Sequence, residues 1–264
     1  MCDPDFQLLG SGLYLDASLI NHSCEPNAVV SFSGRKLCVR ALRQLGAGEE
    51  LSIAYTELYA PRYERRSKMV SKKGFTCRCP RCTAPFAAGR GDALLSAIAC
   101  PSCSSHAPLE DSLDVACLEC GRRFRAETQS KKLNVWRNLY ETGIRLMQEG
   151  DAAKAADIFE KVLATSATTL HAHHFIRVDS QLALVDCLSE AGADPARCAD
   201  LALQTAELMA FHLQANHPTL ARLRSIAGRE LERAGNRDRG AAVAREGRAI
   251  YCVAYGPAHP LSNA

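Results

Sequence analysis

The chain has 264 residues, of which 47% are hydrophobic and 23% charged, and its formal net charge is +3. That composition suits one large or two modest globular domains, and the charge is too small to imply a polyanionic partner by itself. No apolar run approaches the ~18 residues of a membrane span, and Met1-Cys2-Asp3-Pro4-Asp5 lacks the basic flank and apolar core of a secretory signal. A cytoplasmic or nuclear protein without membrane contact is expected.

In chain order, residues 1–60 carry short apolar runs separated by turn residues. Residues 28–32 and 36–41 flank Ser33-Gly34-Arg35, which predicts a β-hairpin. Gly46-Ala47-Gly48 breaks the chain before the run 49–55. Residues 60–73 read as a helix, with Pro61 near its start and a basic face of Arg62, Arg65, Arg66, Lys68, Lys72 and Lys73. Residues 74–125 are rich in cysteine and poor in regular pattern. From Leu133 to about Val253 the period is helical, with breaks at Glu149-Gly150-Asp151, at residues 191–195, at His217-Pro218 and at Ala234-Gly235-Asn236. Five or six helices are expected there. His171, His173 and His174 fall at a helix junction with no cysteine nearby, so a solvated surface is expected rather than a metal site.

The 13 cysteines need a separate account. Without a secretory signal disulfides are not expected, because intracellular thiols stay reduced. Seven cysteines lie in short-spaced groups, which points to metal ligation. Zinc takes four ligands in a tetrahedron, and closed all-thiolate sites are structural. Cys77, Cys79 and Cys82 supply three thiolates. The fourth is assigned to Cys24 in preference to Cys2 or Cys38. Cys100-x-x-Cys103 and Cys117-x-x-Cys120, with Pro101 and Gly121 at their turns, form a self-contained set like a zinc ribbon. Arg78, Arg81, Arg122 and Arg123 stand beside these knuckles and would offset the formal −2 charge of a four-thiolate zinc centre. That explains the local basic charge better than contact with nucleic acid, which is not expected. Cys187, Cys198 and Cys252 fall in helical patterns, where they read as small buried hydrophobes.

The order of motifs resembles a known family. Residues 16–27, Asp-Ala-Ser-Leu-Ile-Asn-His-Ser-Cys-Glu-Pro-Asn, are followed by residues 48–55, Gly-Glu-Glu-Leu-Ser-Ile-Ala-Tyr, and then by the CxCxxC group. This order resembles the C-terminal half of a SET domain with its post-SET zinc site, in the form found in the SET and MYND domain (SMYD) family of protein-lysine methyltransferases. The spacing of Trp136, Tyr140, Gly143, Ala155, Phe159 and Ala164 resembles a tetratricopeptide (TPR) repeat. Such helix pairs bury their apolar faces only by stacking.

The resemblance implies an α+β fold in three parts. Residues 1–73 are the C-terminal half of a SET domain, 74–125 a post-SET and zinc-ribbon-like region, and 126–264 a TPR-like helical domain. It implies S-adenosylmethionine as cofactor, with Ser18, Asn21, His22, Tyr55 and Phe75 lining its pocket, Phe75 stacking on the adenine and Tyr55 also catalytic beside the methyl group. Cys24 joins Cys77, Cys79 and Cys82 on one zinc. Lys73 stands where the family often has an aromatic residue. The second group, Cys100, Cys103, Cys117 and Cys120, is similar to an insertion in some members. The glycine-rich motif that opens a SET domain and the MYND finger are not in this sequence, so an N-terminally truncated member is expected. The implied partner is a protein with a substrate lysine, and a peptide or chaperone partner is expected in the TPR-like groove. The alternative is a non-catalytic, zinc-stabilised binding module using that groove.

The chemistry sets the demands on the site. Methyl transfer from a sulfonium needs a neutral amine aligned with the methyl group. Free lysine has a pKa of ~10.4, so neutralising it near pH 7 costs roughly 4–5 kcal/mol. A narrow, partly dry channel with a tyrosine hydroxyl reduces that cost. Tyr55 follows the apolar run 51–54 and can present its hydroxyl at a strand end.

Overall fold

The computed structural model describes residues 10, 12–85, 91–110 and 112–263. Met1 to Asp5, with Cys2, lie outside the described residues. The fold is α+β, with a small β-rich part followed by a helical stack.

The β-rich part uses short strands. The two-residue strands β1 (Asn21–His22) and β4 (Ser52–Ile53) pair in parallel, Asn21 against Ser52 and His22 against Ile53. Strands β2 (Ala28–Ser33) and β3 (Lys36–Ala41) form the expected hairpin, closed at Ser33 and Lys36. Gly34 holds φ +57° at the turn, a conformation open to glycine at no steric cost. A one-turn helix, α1 (Leu15–Ser18), precedes β1.

Helix α2 (Arg62–Lys73) starts after extended Pro61 and ends at Gly74 in the left-handed region. Its basic residues do not all face solvent. Arg65 and Met69, one turn apart, are buried, so the expected basic face loses Arg65 to the interior. A periodic run of cations gives no sign that one of them meets a carboxylate from a later segment.

The cysteine-rich region has more order than its pattern suggests. The single turn α3 (Pro80–Thr83) and the single turn α4 (Asp92–Leu95) are followed by two small antiparallel ladders. They are β5 (Ala97–Ala99) with β6 (His106–Pro108), and β7 (Asp114–Ala116) with β8 (Arg123–Arg125). Three-residue strands are too short to register as periodicity.

Six helices follow among the described residues. They are α5 (Glu127–Gln148), α6 (Ala152–Ser166), α7 (Phe175–Ala191), α8 (Pro195–Ala210), α9 (Pro218–Arg233) and α10 (Arg237–Tyr255). Each lies against the next, joined by a short turn, as in a TPR-like stack. The spacing noted in the sequence marks the α5–α6 contact. Gly143 leaves room for the buried Phe159 ring, and a Cβ there would lie 2.6 Å from Phe159 Cε1. Trp136 Nε1 donates to Thr165 Oγ1 at 2.9 Å. Cys187 and Cys198 are buried as expected, whereas Cys252 is only half-buried.

Histidines have a structural role that the sequence reading missed. His174, His217 and His259 are N-caps of α7, of α9 and of the 3-10 turn Pro260–Ser262, each accepting a backbone N–H through the side chain. The expected solvated histidine surface is therefore corrected. His174 is buried, the His171 ring meets His106 edge-on and stacks on His173, and His173 Nδ1 lies 3.1 Å from His212 Nε2. The loop before α7 is covered by β6 and by the end of α8, which removes it from solvent.

The two parts share one apolar core, running from Leu58 and Tyr59 through Leu95 and Ile98 into the helices. Polar contacts reinforce the seam. Arg40 Nε donates to Val253 O at 3.1 Å, Asn216 Nδ2 to Leu42 O at 2.7 Å, and Tyr59 Oη to His173 O at 3.1 Å.

Candidate functional site

The chain segments around residues 21–27 and 48–55 are bound together by side chains. Asn21 Nδ2 donates to Glu50 Oε1 at 2.7 Å. The buried Asn27 donates to Glu50 O at 2.9 Å and Glu49 Oε1 at 3.2 Å, and its Oδ1 accepts from Ser52 N at 2.9 Å. Glu49 is also paired with Arg43. The Arg43 hydrogen bond, with help from Gly46 N–H and Asn27, holds the Glu49 carboxyl down at about 2. These bonds fix a β1–β4 ladder only two residues long.

His22 links the strand end to the sulfurs. Its Nδ1 accepts from Tyr55 N at 3.0 Å, which leaves Nε2 to carry the proton toward Cys24 Sγ, 3.3 Å away. Burial lowers the His22 pKa, consistent with this neutral ring. The Tyr55 ring lies 5.3 Å from His22, and Phe75 lies 6.4 Å from His22 on another side. Tyr55 Oη donates to Ile20 O. Lys73 Nζ sits 5.1 Å from the Tyr55 ring centroid, a cation over a π face. Asn21, His22, Tyr55 and Phe75 therefore share one region, with Phe75 exposed at its edge. Ser18 is exposed on α1, its Oγ donating to Leu15 O at 2.6 Å, and no hydrogen bond joins it to the other four. Leu15 and Leu19 beside it are 71% and 80% exposed, so this edge has an apolar rim.

Cys24, Cys77, Cys79 and Cys82 converge, with all four sulfurs within 4.8 Å of one another. A tetrahedral zinc with bonds of about 2.3 Å requires sulfur–sulfur edges of about 3.8 Å. The observed separations of 3.9 Å for Cys24–Cys77 and 3.5 Å for Cys24–Cys82 fit that geometry. Cys100, Cys103, Cys117 and Cys120 form a second group with the same 4.8 Å limit. Its Cys100–Cys120 and Cys103–Cys117 separations are 3.8 and 3.6 Å. Both sets have the donors and spacing to hold zinc. Cys38, on the hairpin, belongs to neither. The crowded thiols share protons unequally. Hydrogen bonds from Cys24 and Cys82 hold the Cys79 thiol far down, while Cys24 is pushed far up. Backbone donation from Ser102 brings Cys100 down to about 6.

A buried ion cluster missed by the sequence reading stands against the first group. Arg65 and Arg81 both engage Asp92, which is 5% exposed. Arg65 Nη2 reaches Cys82 Sγ at 3.7 Å, and Arg81 donates to Cys24 O at 2.9 Å and Leu58 O at 2.8 Å. Two guanidiniums and one carboxylate leave one net positive charge beside four sulfurs. The expected compensation by Arg78 and Arg81 is corrected accordingly. Arg78 is exposed and Arg65 takes its place. Nothing in the local pattern ties Asp92 to Arg65, because 86–90 and other non-repeating sequence intervene.

Tyr55 opens onto a cleft of about 1150 Å³ between the β-rich part and the helices. Glu57 and Tyr55 line one side, and Asp186, Glu190, Arg222 and Tyr255 the other.

Comparison with known proteins gives the region a context. The SET domain family profile matches residues 2–56. The histone-lysine N-methyltransferase SMYD3 of Mus musculus is 43% identical over 82 residues, which are 31% of this chain and 19% of that protein. The N-lysine methyltransferase SMYD2 of Homo sapiens is 37% identical over 81 residues, with the same coverage of 31% and 19%. The chain thus aligns with about a fifth of the length of these curated relatives. A crystal structure of TPR-like repeats from Podosopora anserina superposes with a TM-score of 0.40 at 24% identity, over 48% of this chain and 59% of that one. Among the described residues no helix is long and apolar enough to cross a membrane.

Proposed function

We propose, on the premise that the chain carries SET sequence of the SMYD family, that it forms one wall of an S-adenosylmethionine-dependent protein-lysine methyltransferase site. The observation that carries this reading is His22. It holds the backbone of Tyr55 with one ring nitrogen and faces Cys24 with the other. The site's strand end and a four-sulfur centre are thereby one rigid unit.

When bound, S-adenosylmethionine supplies the electrophilic methyl group. Asn21 and His22 form the inner wall for it, Phe75 offers a face to the adenine, and Ser18 lies toward the rim. Tyr55 Oη and Ile20 O are two oxygens converging at the strand end, and we assign them to orienting the incoming amine. Tyr55 is the catalytic residue in this reading. The two four-cysteine groups are structural zinc sites, one formed by Cys24, Cys77, Cys79 and Cys82 and one by Cys100, Cys103, Cys117 and Cys120. The substrate is a protein lysine entering the cleft that contains Glu57, Asp186 and Glu190. Asp186 is paired with Arg222, which leaves Glu57 and Glu190 to favour a basic segment. The TPR-like groove is assigned to a peptide or chaperone partner.

Isothermal titration of S-adenosylmethionine into the zinc-loaded chain should give a saturable heat, and no heat at high micromolar ligand would contradict cofactor binding. Transfer of a labelled methyl group to histones, the substrate class in the name of the mouse relative, should fall roughly 100-fold or more in Tyr55→Phe. Zinc content should be unchanged in that variant.

A further inference from the structure

A second cavity, of about 450 Å³, opens among α2, α5 and α7. Its wall is aromatic, made by Tyr59, Tyr140 and Phe175. Its lining includes Asp179, one turn along α7 from Phe175. Asp179 is half-buried. Among the described residues no group forms a hydrogen bond or ion pair with it.

The nearby charges do not resolve that isolation. Glu57, in the loop after Tyr55, and Glu64 on α2 add negative potential, and Lys68 on α2 only partly opposes it. Glu141 on α5 lies at the same cavity. Arg137 on α5 is already engaged, at 2.6 Å from Glu64 and 5.4 Å from the Phe175 ring centroid. The Tyr59 hydroxyl donates to His173 O. Burial, joined by Glu57 and Glu64, raises the Asp179 pKa well above the carboxylate range. Burial together with the field of Asp179 also pushes the Tyr59 and Tyr140 hydroxyls up.

A half-buried carboxylate without a partner loses part of its hydration and gains nothing in return. A cation placed in the cavity removes the cost, by Coulomb attraction to Asp179 and by contact with the ring faces. The arrangement of carboxylate, aromatic walls and acidic rim is complementary to one extended basic side chain.

We propose that this cavity recognises a basic side chain, ammonium or guanidinium, of a partner polypeptide, with Asp179 as its counter-ion and Tyr59, Tyr140 and Phe175 as its walls. The proposal does not rest on methyl transfer. Glu57 and Thr219 line both this cavity and the cleft beside Tyr55, so a polypeptide anchored here extends toward that cleft.

The test is nuclear magnetic resonance titration of the zinc-loaded chain near pH 7 with three capped tripeptides, acetyl-Gly-X-Gly-amide with X as Lys, Arg or Gln. The Lys or Arg peptide should give saturable shifts at Asp179 and Tyr140 with a Kd of roughly 1–10 mM, and the Gln peptide none. Asp179→Asn should weaken binding at least 10-fold with zinc content unchanged. Should that variant not fold, Tyr140→Leu carries the test, again with an expected 10-fold loss. Equal shifts from the Gln peptide, shifts centred elsewhere, or unchanged affinity in a folded variant would overturn the proposal. Spermidine binding where neither basic peptide does would overturn it too, in favour of a free polyamine.

Discussion

In residues 21–82 the longest strands have six residues, and, apart from Leu58 and Tyr59, which join the helical core, the enclosed apolar cluster consists of Cys24, Met69, Cys77 and Cys82. In residues 127–255 the helices run from 15 to 22 residues and bury Trp136, Phe159, Leu184, Leu220 and Leu223. The first region places irregular backbone where side chains must converge, so it lacks long ladders. Motif hydrogen bonds and the converging cysteines replace them. The second has no such demand and gains stability from apolar burial between neighbouring helices. Precision at strand ends and bulk stability are thus supplied by different parts of one chain.

The largest expected effect comes from removing metal. Structural zinc in small sites is worth on the order of 10 kcal/mol. A strong chelator should therefore abolish amide-exchange protection in residues 21–82 and 97–125 while α5 to α10 remain protected. Equal loss in both regions would show that the comparison is wrong. Next is Phe159→Ala, which empties the space opposite Gly143 and should cost about 3–5 kcal/mol by urea denaturation. It should leave zinc content intact, and a loss of zinc would mean that the two regions are not separately supported.

The smallest effect is a pH dependence of the helical region. Burial brings His217 down to about 4 from an ordinary 6.5. The unfolded chain therefore takes up a proton first. Stability from this group is complete above pH 6.5 and falls as pH drops toward 4, by at most about 1.4 kcal/mol per pH unit. His217→Asn keeps an N-cap acceptor without the titration. The unfolding free energy of the wild type, from urea denaturation, should fall relative to that of the variant below pH 6.5, by about 2 kcal/mol at pH 5. Parallel curves would exclude His217 as a source of acid sensitivity.

What was legible in the sequence was what local spacing records. Three thiolates of the first set follow from CxCxxC and all four of the second from the paired CxxC knuckles, because ligand geometry forces short separations, whereas Cys24, 53 residues before Cys77, comes from the family resemblance. The hairpin at 28–41 follows from Gly34 between alternating runs. Gly143 and Phe159 announce the α5–α6 contact through size. Tyr55, Asn21, His22 and Phe75 share one region of the fold, whereas Ser18 stands at the rim. The Arg65–Asp92–Arg81 cluster was illegible, because ion pairing between distant segments leaves no periodic trace. The histidine cap at 174 is hidden by its neighbours His171 and His173, which read as a surface cluster, and the cap at 217 reads only as a break before Pro218. The three-residue strands between 97 and 125 lie below the length at which a period of two can be seen.

A metal that pins Cys24, and with it His22 and Tyr55, to the segment ending at Cys82 accounts for the site's rigidity. Elemental analysis of purified protein tests it most directly. Two zinc ions per chain are predicted for the wild type and one for Cys24→Ser. Two in the variant, or one or none in the wild type, would contradict the account.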